Sequence, residues 1–425
     1  MSHTARKKSN AERKAKQRSV LFISALDVWS LGNGKGGPAL YNTLIGYASR
    51  GWKVYFITGN RGDISGHDLH ENINIIRFDA PWLKKLMKIK KIGFFAKAIA
   101  KAIWWFYFQI VSFVIAIYMG RKHQFDVVYG YEIYGTPVAK LLSKIWGVPM
   151  VSRFQGTIFG VRWDNKIFRN LIAWEHFLGL RVPADLIIMT NDGTQGDKVL
   201  LELGIDMHRV RFWMNGVSWD YFRILPAQAE AKESLGIGAK NVLLTLSRLV
   251  SWKRVERSIR ALPNIICDFP NTLLFIVGDG PERESLKKLA QDLGVADHVC
   301  FAGAIPYNEI AKYFVAADIF LSFYDCSNVG NPLLEAMMAG KCIVTLNNGD
   351  TGQFVKNGEN GILLEHEDLP RLPEVIKGLL ADEERRRYLG ANARKFAEEN
   401  FWTWEERIRA EIAEVEKLVA RRAGK

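Results

Sequence analysis

Asn241-Val242-Leu243-Leu244-Thr245-Leu246-Ser247-Arg248-Leu249-Val250-Ser251-Trp252-Lys253 is the stretch on which the reading of the fold turns. Asn241–Leu246 is a short β-prone apolar run, and Arg254–Pro263 reads as the opening of a helix. The unit is therefore strand, cationic loop, helix. Thr272–Val277 follows as a strand ending in Gly278-Asp279-Gly280-Pro281, and Val299–Ala302, Ile319–Phe323 and Cys342–Thr345 continue the alternation. Strands alternating with helices build a parallel sheet covered on both faces.

The unit is a restart, because the first half of the chain has the same rhythm. Val20–Ser24 is followed by Gly32-Asn33-Gly34-Lys35-Gly36-Gly37 and a helical stretch from Pro38 to Arg50. Lys53–Thr58, Ile73–Phe78, Asp126–Tyr129, Val148–Ser152 and Leu186–Met189 read as further strands. At 425 residues the chain has room for two such domains, each with its own core. The pattern predicts a basic flexible tail over 1–18, a first Rossmann-like domain over 19–217 and a second over 226–402. The boundary falls near Asn215–Leu225, and a charged helix within 403–425 is placed to return to the first domain.

The formal net charge of +13 asks for an anionic partner: nucleic acid, a phosphate-rich ligand or a membrane surface. Nucleic acid is disfavoured, since no helix-turn-helix, zinc-finger or RNA-binding signature accompanies the charge. Arg6, Lys7, Lys8, Arg13, Lys14, Lys16 and Arg18 read as a solvated tail, and Val20–Ala25 is too short for the core of a signal peptide. Cys267, Cys300, Cys326 and Cys342 lie far apart and form no CxxC pair, which suits reduced thiols in the cytoplasm.

Residues 81–119 break the rhythm. Lys84, Lys88 and Lys91 share one helical face and Trp82, Leu86 and Ile89 another, and Ala102–Met119 is almost wholly apolar. Three readings compete: a buried core helix, an interfacial element docked on a membrane, and a transmembrane span. The span would strand half of a parallel sheet on the wrong side of the bilayer.

Three elements carry chemistry. Gly36-Gly37, between the first strand and the first helix, lets backbone approach a phosphate at a helix N-terminus. Arg248 and Lys253 leave the carboxyl end of a strand, where doubly wound sheets bind ligands, and can clamp a pyrophosphate. Asn328-Val329-Gly330-Asn331-Pro332-Leu333-Leu334-Glu335 places free N–H groups at a helix start, with Glu335 expected in the first turn to hold a ribose. Solvated cations, a tight turn and a helix-start acid are the plain alternatives for each element taken alone.

Taken together and in this order, these residues resemble the family 4 retaining glycosyltransferases of two-Rossmann (GT-B) architecture. The likeness also rests on Asn215-Gly216-Val217 with Phe222, Gly278-Asp279-Gly280-Pro281-Glu282, Phe301-Ala302-Gly303 and Pro332–Met337. It implies a metal-independent hexosyl transfer from a nucleotide-diphosphate sugar, without a further cofactor. Arg248 and Lys253 would hold the diphosphate, Glu335 the ribose, and the loop Ser327–Asn331 the donor; Gly36, Gly37, Gly278, Asp279 and Gly280 would line the donor site. Two positions depart from the family: Ser327 stands where it usually has a glutamate, and Gln155 where it often has a histidine near the reacting carbon. Gln155 can bond a sugar hydroxyl but cannot act as a base.

The chain contains no Asp-x-Asp triplet, so side-chain cations rather than a metal are expected to neutralise the diphosphate. The basic and aromatic segment 81–119 favours a lipid-linked glycan acceptor, such as a polyprenyl-linked one, taken from the cytoplasmic face of an anionic membrane in cell-surface polysaccharide or glycoconjugate synthesis. A soluble acceptor, a sugar-nucleotide 2-epimerase and a non-catalytic nucleotide-sugar binder are the alternatives.

Overall fold

The computed structural model describes residues 17–26, 38–59, 66–81, 94–160 and 166–423. Two all-parallel sheets form two domains. The first sheet runs β3-β2-β1-β4-β5-β6-β7, from β1 (Ser19–Ser24), β2 (Lys53–Thr58), β3 (Ile73–Arg77), β4 (Val127–Tyr131), β5 (Met150–Phe154), β6 (Leu186–Thr190) and β7 (Val210–Trp213). The second runs β10-β9-β8-β11-β12-β13, from β8 (Asn241–Leu246), β9 (Thr272–Val277), β10 (Val299–Gly303), β11 (Ile319–Ser322), β12 (Cys342–Leu346) and β13 (Ile362–Leu364). Both orders reverse after the first strand of their sheet, and the ligand crevice of such sheets lies at that switch, outside the carboxyl ends. This is the GT-B fold, two Rossmann-like α/β domains.

Alternation along β1 shows why two helical layers form. Val20 and Phe22 join a core under the helix Pro38–Ala48, while Leu21 and Ile23 join one under the helices Phe94–Gly120 and Glu132–Trp146. β7 and β13 carry no sequence signal of their own. Val210-Arg211-Phe212-Trp213 alternates with a charge, and Ile362–Leu364 is three residues long; both are edge strands. The helix that opens after Lys253 spans Glu256–Asp268 and runs through Pro263, because Ile259, Leu262 and Ile265 keep one buried face on either side of the proline.

The helix Trp404–Ala423 leaves the second domain and packs on the first, with Trp404, Ile408, Ile412 and Val415 in the core of Val20, Leu44 and Tyr47. At its centre the Glu411 carboxylate accepts from the Tyr129 hydroxyl, from Arg153 at 2.8 Å and from Arg407 at 2.9 Å, with all three charged side chains fully buried. Arg153 also donates to Thr43 Oγ1 at 2.5 Å, and Arg407 donates to the Met214 carbonyl at 2.9 Å. The crossing beside it is a two-residue bridge: Val217 N–H donates to the Trp402 carbonyl and Trp404 N–H to that of Val217. Arg18, grouped with the tail by its charge, belongs to the fold: it pairs with Glu416 at 2.6 Å over the ring of Trp52.

In the segment 81–119, residues 82–93 lie outside the described residues, and with them Lys84, Lys88 and Lys91. The remainder belongs to one 27-residue helix, Phe94–Gly120, about 40 Å long. Its inner face puts Trp104, Phe108, Ser112, Ala116 and Met119 into the core. Its outer face carries Ile99, Ile103, Phe106, Ile110, Val114 and Tyr118, all exposed. Part of the window Ala98–Gly120 is long and apolar enough to cross a bilayer, yet one face of the same helix is a wall of the first domain.

Glu411→Gln leaves two buried guanidinium groups without their counter-charge, a loss worth about 3–5 kcal/mol. Urea unfolding at neutral pH should show that drop. Burial pushes the Glu411 carboxyl up, but Arg153 and Arg407 outweigh it and hold it below its ordinary value. Its contribution is therefore complete above the ordinary carboxylate range and is lost as pH falls through the lowered folded value. The variant's deficit should accordingly shrink in acid.

Candidate active site in the interdomain cleft

The carboxyl ends of the two sheets face each other. From the first domain come Glu132 after β4, Gln155-Gly156 after β5 and Asp192-Gly193 after β6; from the second come Arg248 and Lys253 after β8 and Ser327–Glu335 after β11. The walls touch directly. Ser327 Oγ donates to the Asp192 carbonyl at 2.7 Å, and Asp350 N–H donates to that of Gly193 at 3.0 Å. Gly193 is at φ 78°, and a Cβ there would collide with Ser327 Oγ and Val329.

Lys253 sits at the end of a short 3-10 turn, Ser251–Lys253. Its ammonium lies 3.6 Å from the centre of the Tyr324 ring and 4.1 Å from that of Trp252. Burial pushes it down to about 7, against the pull of Asp192, while Arg248 lowers it further. The Arg248 side chain is exposed at the start of the same loop. The loop is pinned from behind. Asp325 N–H donates to the Trp252 carbonyl at 3.0 Å, and Arg257 holds both the Phe323 carbonyl at 2.6 Å and Asp325 at 2.8 Å.

Glu335 is placed differently from the first-turn position read in the sequence. The helix is Asn331–Met338, so Glu335 is its fifth residue and is 2% exposed. Burial raises its carboxyl to about 7, with the Tyr307 hydroxyl bonding it on one side. Its Oε1 has no hydrogen-bond partner among the described residues. A buried carboxylate oxygen left unpartnered is costly unless something else supplies a donor, and a ribose hydroxyl has the right chemistry.

The rest of that loop divides by function. Asn328 is a brace: its Oδ1 accepts from Ser322 Oγ at 2.8 Å and Tyr324 N–H at 3.0 Å, and its Nδ2 donates to Leu346 O at 3.2 Å and Asn348 Oδ1 at 2.8 Å. No capacity of that amide remains for a donor. Ser327 is likewise engaged, holding Asp192 and accepting from Val329 N–H at 3.1 Å. Val329 is a core residue. Gly330 and Asn331 begin a helix with no side-chain cap, so their N–H groups are the part of this loop fitted to an anion.

Gly278, Asp279 and Gly280 act through backbone. A Cβ at Gly278 would strike the Ser247 carbonyl and one at Gly280 that of Leu249, and Leu249 N–H donates to Asp279 O at 3.0 Å. The Asp279 carboxylate caps its own turn and pairs with Arg283 at 3.2 Å. These residues set the Arg248 loop in place. Gln155 donates from Nε2 to the Tyr131 hydroxyl at 2.8 Å, and its backbone N–H donates to Glu132 Oε1 at 2.8 Å. Gly36 and Gly37 lie outside the described residues.

Two acids in the cleft escaped the sequence reading. Burial raises Asp192 to about 6 and Glu132 to about 7. Asp192 belongs to an Asn-Asp-Gly turn and looks like turn chemistry; only the opposing wall makes it a partner of Lys253.

Residues 227–396 match the family described as Glycosyl transferases group 1. That span holds Arg248, Lys253 and Glu335. The chain is 36% identical over 200 residues to a GDP-mannose-dependent alpha-(1-6)-phosphatidylinositol monomannoside mannosyltransferase of Mycolicibacterium smegmatis, covering 45% of this chain and 52% of that protein. It is 27% identical over 272 residues to a D-inositol 3-phosphate glycosyltransferase of Acidothermus cellulolyticus, covering 60% of each. The chain thus spans about half the length of the first of these relatives. Among solved structures it resembles sucrose-phosphate synthase from Thermosynechococcus elongatus, with a TM-score of 0.74 and 18% identity over 95% of this chain and 100% of that one. Anabaena Alr3699/HepE in complex with UDP and glucose gives a TM-score of 0.72 and 19% identity over 94% of this chain and 100% of that one. At such identities the likeness establishes the GT-B fold.

Burial pulls the Lys253 ammonium down to about 7, and a diphosphate docking beside it would restore its charge. At about pH 8 the free ammonium is mostly neutral, and an anion that raises its value draws a proton from solution. Calorimetry of a nucleoside diphosphate in buffers of different ionisation enthalpy should record proton uptake for the wild type and none for Lys253→Met. Equal uptake by both would place the diphosphate elsewhere.

Proposed function

We propose that this protein is a retaining glycosyltransferase that moves a hexosyl group from a nucleoside-diphosphate donor to a lipid-linked glycan acceptor. The observation that carries the reading is the pair Lys253 and Glu335 on adjoining loops of one cleft. One is a cation made uncomfortable by burial, and the other a buried carboxylate with an unpartnered oxygen. A nucleoside diphosphate relieves both, with phosphate against Lys253 and Arg248 and ribose hydroxyls against Glu335. The family match over the same residues and the nucleotide-sugar enzymes among the relatives support it.

In this reading the anomeric C–O bond to the β-phosphate breaks and negative charge grows on the leaving oxygen. Arg248, Lys253 and the N–H groups of Gly330 and Asn331 are set to stabilise it, and no metal is invoked. The acceptor oxygen bonds the anomeric carbon from the face the phosphate leaves, and its proton passes to the departing phosphate. Gln155 orients rather than accepts a proton. Arg248→Ala should lower turnover at saturating donor by about a hundredfold, the scale of one lost transition-state donor. Product must depend on added acceptor; conversion of the donor alone would point to an epimerase instead.

The acceptor-side domain has a surface fitted to an anionic bilayer. The helices Phe94–Gly120, Glu132–Trp146, Lys166–Ile172 and Trp174–Arg181 lie side by side on one face of the sheet. Beyond the stripe of the long helix they expose Leu141, Ile145, Ile167, Phe168, Leu171 and Leu178. Between residues 94 and 181 the only acids are Asp126, Glu132, Asp164 and Glu175, whereas Arg121, Lys122, Lys144, Lys166 and Arg181 are exposed cations. An apolar face with a basic border is the composition of a monotopic membrane surface. Anionic liposomes should float the wild type at low salt and release it at high salt. A variant with Ser at Ile103, Phe106 and Ile110 should stay in solution; if it floats like the wild type, this face is not the dock.

A further inference from the structure

A cavity of 590 Å³ opens in the first domain beside the cleft, and the donor site makes no use of it. Leu26, Lys101, Trp104, Glu132, Tyr134 and His176 line it. Its wall is mostly apolar and aromatic, with a carboxylate, an ammonium and an imidazole placed among the rings. Lys101 is paired with Glu175, which is 3% exposed and whose Oε2 has no partner among the described residues.

Glu132 is one of three non-glycine residues at positive φ among the described residues. β4 turns into the helix Glu132–Trp146 with no intervening loop, and Glu132 takes φ 62°, the left-handed region that disfavours side chains. Such a conformation costs about 1–2 kcal/mol and persists only where its surroundings enforce it. They do so here. A Cβ at Gly135 would strike the Ile23 carbonyl, and one at Gly130 would strike the Thr136 backbone, so the corner is pressed against β1. Glycine would fit this position without strain, yet the residue is a carboxylate. One of its oxygens is fixed by the Gln155 N–H at 2.8 Å.

A Cβ at Gly156 would meet the Asp192 carboxylate, and Asp192 bears electrostatically on both Glu132 and Lys253. On its other side the cavity is bounded by Lys101 and Trp104, from the helix whose outer face is the exposed apolar stripe. Aromatic faces beside a fixed carboxylate suit a polyol: C–H faces lie on the rings and hydroxyls donate to the carboxylate.

We propose that this cavity is the acceptor site, taking the polyol headgroup of an amphiphile, and that Glu132 holds one of its hydroxyl groups. The proposal rests on the transferase reading for its place in catalysis, but the site binds a headgroup without donor present. The probe is octyl mannoside below its critical micelle concentration, titrated calorimetrically, with octanol as the tail alone. The wild type should bind the glycoside saturably and octanol much more weakly. Glu132→Gln and Glu132→Gly should each weaken glycoside binding by about tenfold, the scale of one charge-assisted hydrogen bond. Glu132→Gly should melt no lower than the wild type, because the left-handed strain is relieved. Equal glycoside affinity in all three proteins, octanol binding as tightly as the glycoside, or no saturable binding by the wild type overturns the proposal. Absence of nucleoside-diphosphate binding by the wild type, with glycoside binding intact, would instead overturn the transferase reading.

Discussion

The buried ion cluster of Glu411 with Arg153 and Arg407 is the constraint through which the rest of the molecule is arranged. Its members come from two separate parts of the architecture. Arg153 lies in the middle of the first sheet, two residues before Gln155, while Glu411 and Arg407 lie on the helix that returns from the second domain. Arg407 also holds the Met214 carbonyl where the chain leaves the first domain. One carboxylate therefore ties β5, the returning helix and the crossover into a single unit. Fully buried ions are tolerated only when paired, so these positions cannot drift independently. The loop after β5, which carries Gln155 and Gly156 to the cleft, inherits that rigidity.

Burial works against charge in four groups of the cleft. Burial lowers Lys253 and raises Asp192, Glu132 and Glu335 toward neutrality, so each group is held where its charged form is disfavoured. Such groups are aimed before the reaction and need little reorganisation when charge appears. The braces behind them are neutral and fully satisfied: Asn328 with four hydrogen bonds and the glycines that seat β9 against the Arg248 loop. The division between strained functional groups and satisfied scaffolding runs through the site.

The helix Phe94–Gly120 shows how one apolar segment can serve two environments. A strongly apolar helix with little periodic contrast gives no amphipathic signal, so its sequence admits core, interface and span alike. Packing divides the two faces. Trp104 and Phe108 fill the space above β1 and β2, leaving Phe106 and Ile110 outward. The core reading therefore holds for one side of the helix, and the other side is the one proposed to meet a membrane.

By itself the sequence determined the element alternation, the restart at Asn241 and the strands that lead to the chemical loops, because period and composition are local properties. It also placed Arg248, Lys253 and Glu335 at the ends of strands or starts of helices, where ligand chemistry is found. What it did not contain was adjacency. Asp192 looks like a turn residue until Lys253 stands across from it, and nothing in the sequence singles out Glu132 before its positive φ and the cavity are seen. The hydrogen bonds that Asn328 and Asp279 make within the fold are likewise not legible in the sequence. Burial, partner and strain depend on contacts between residues far apart in the chain, and only the tertiary structure decides them.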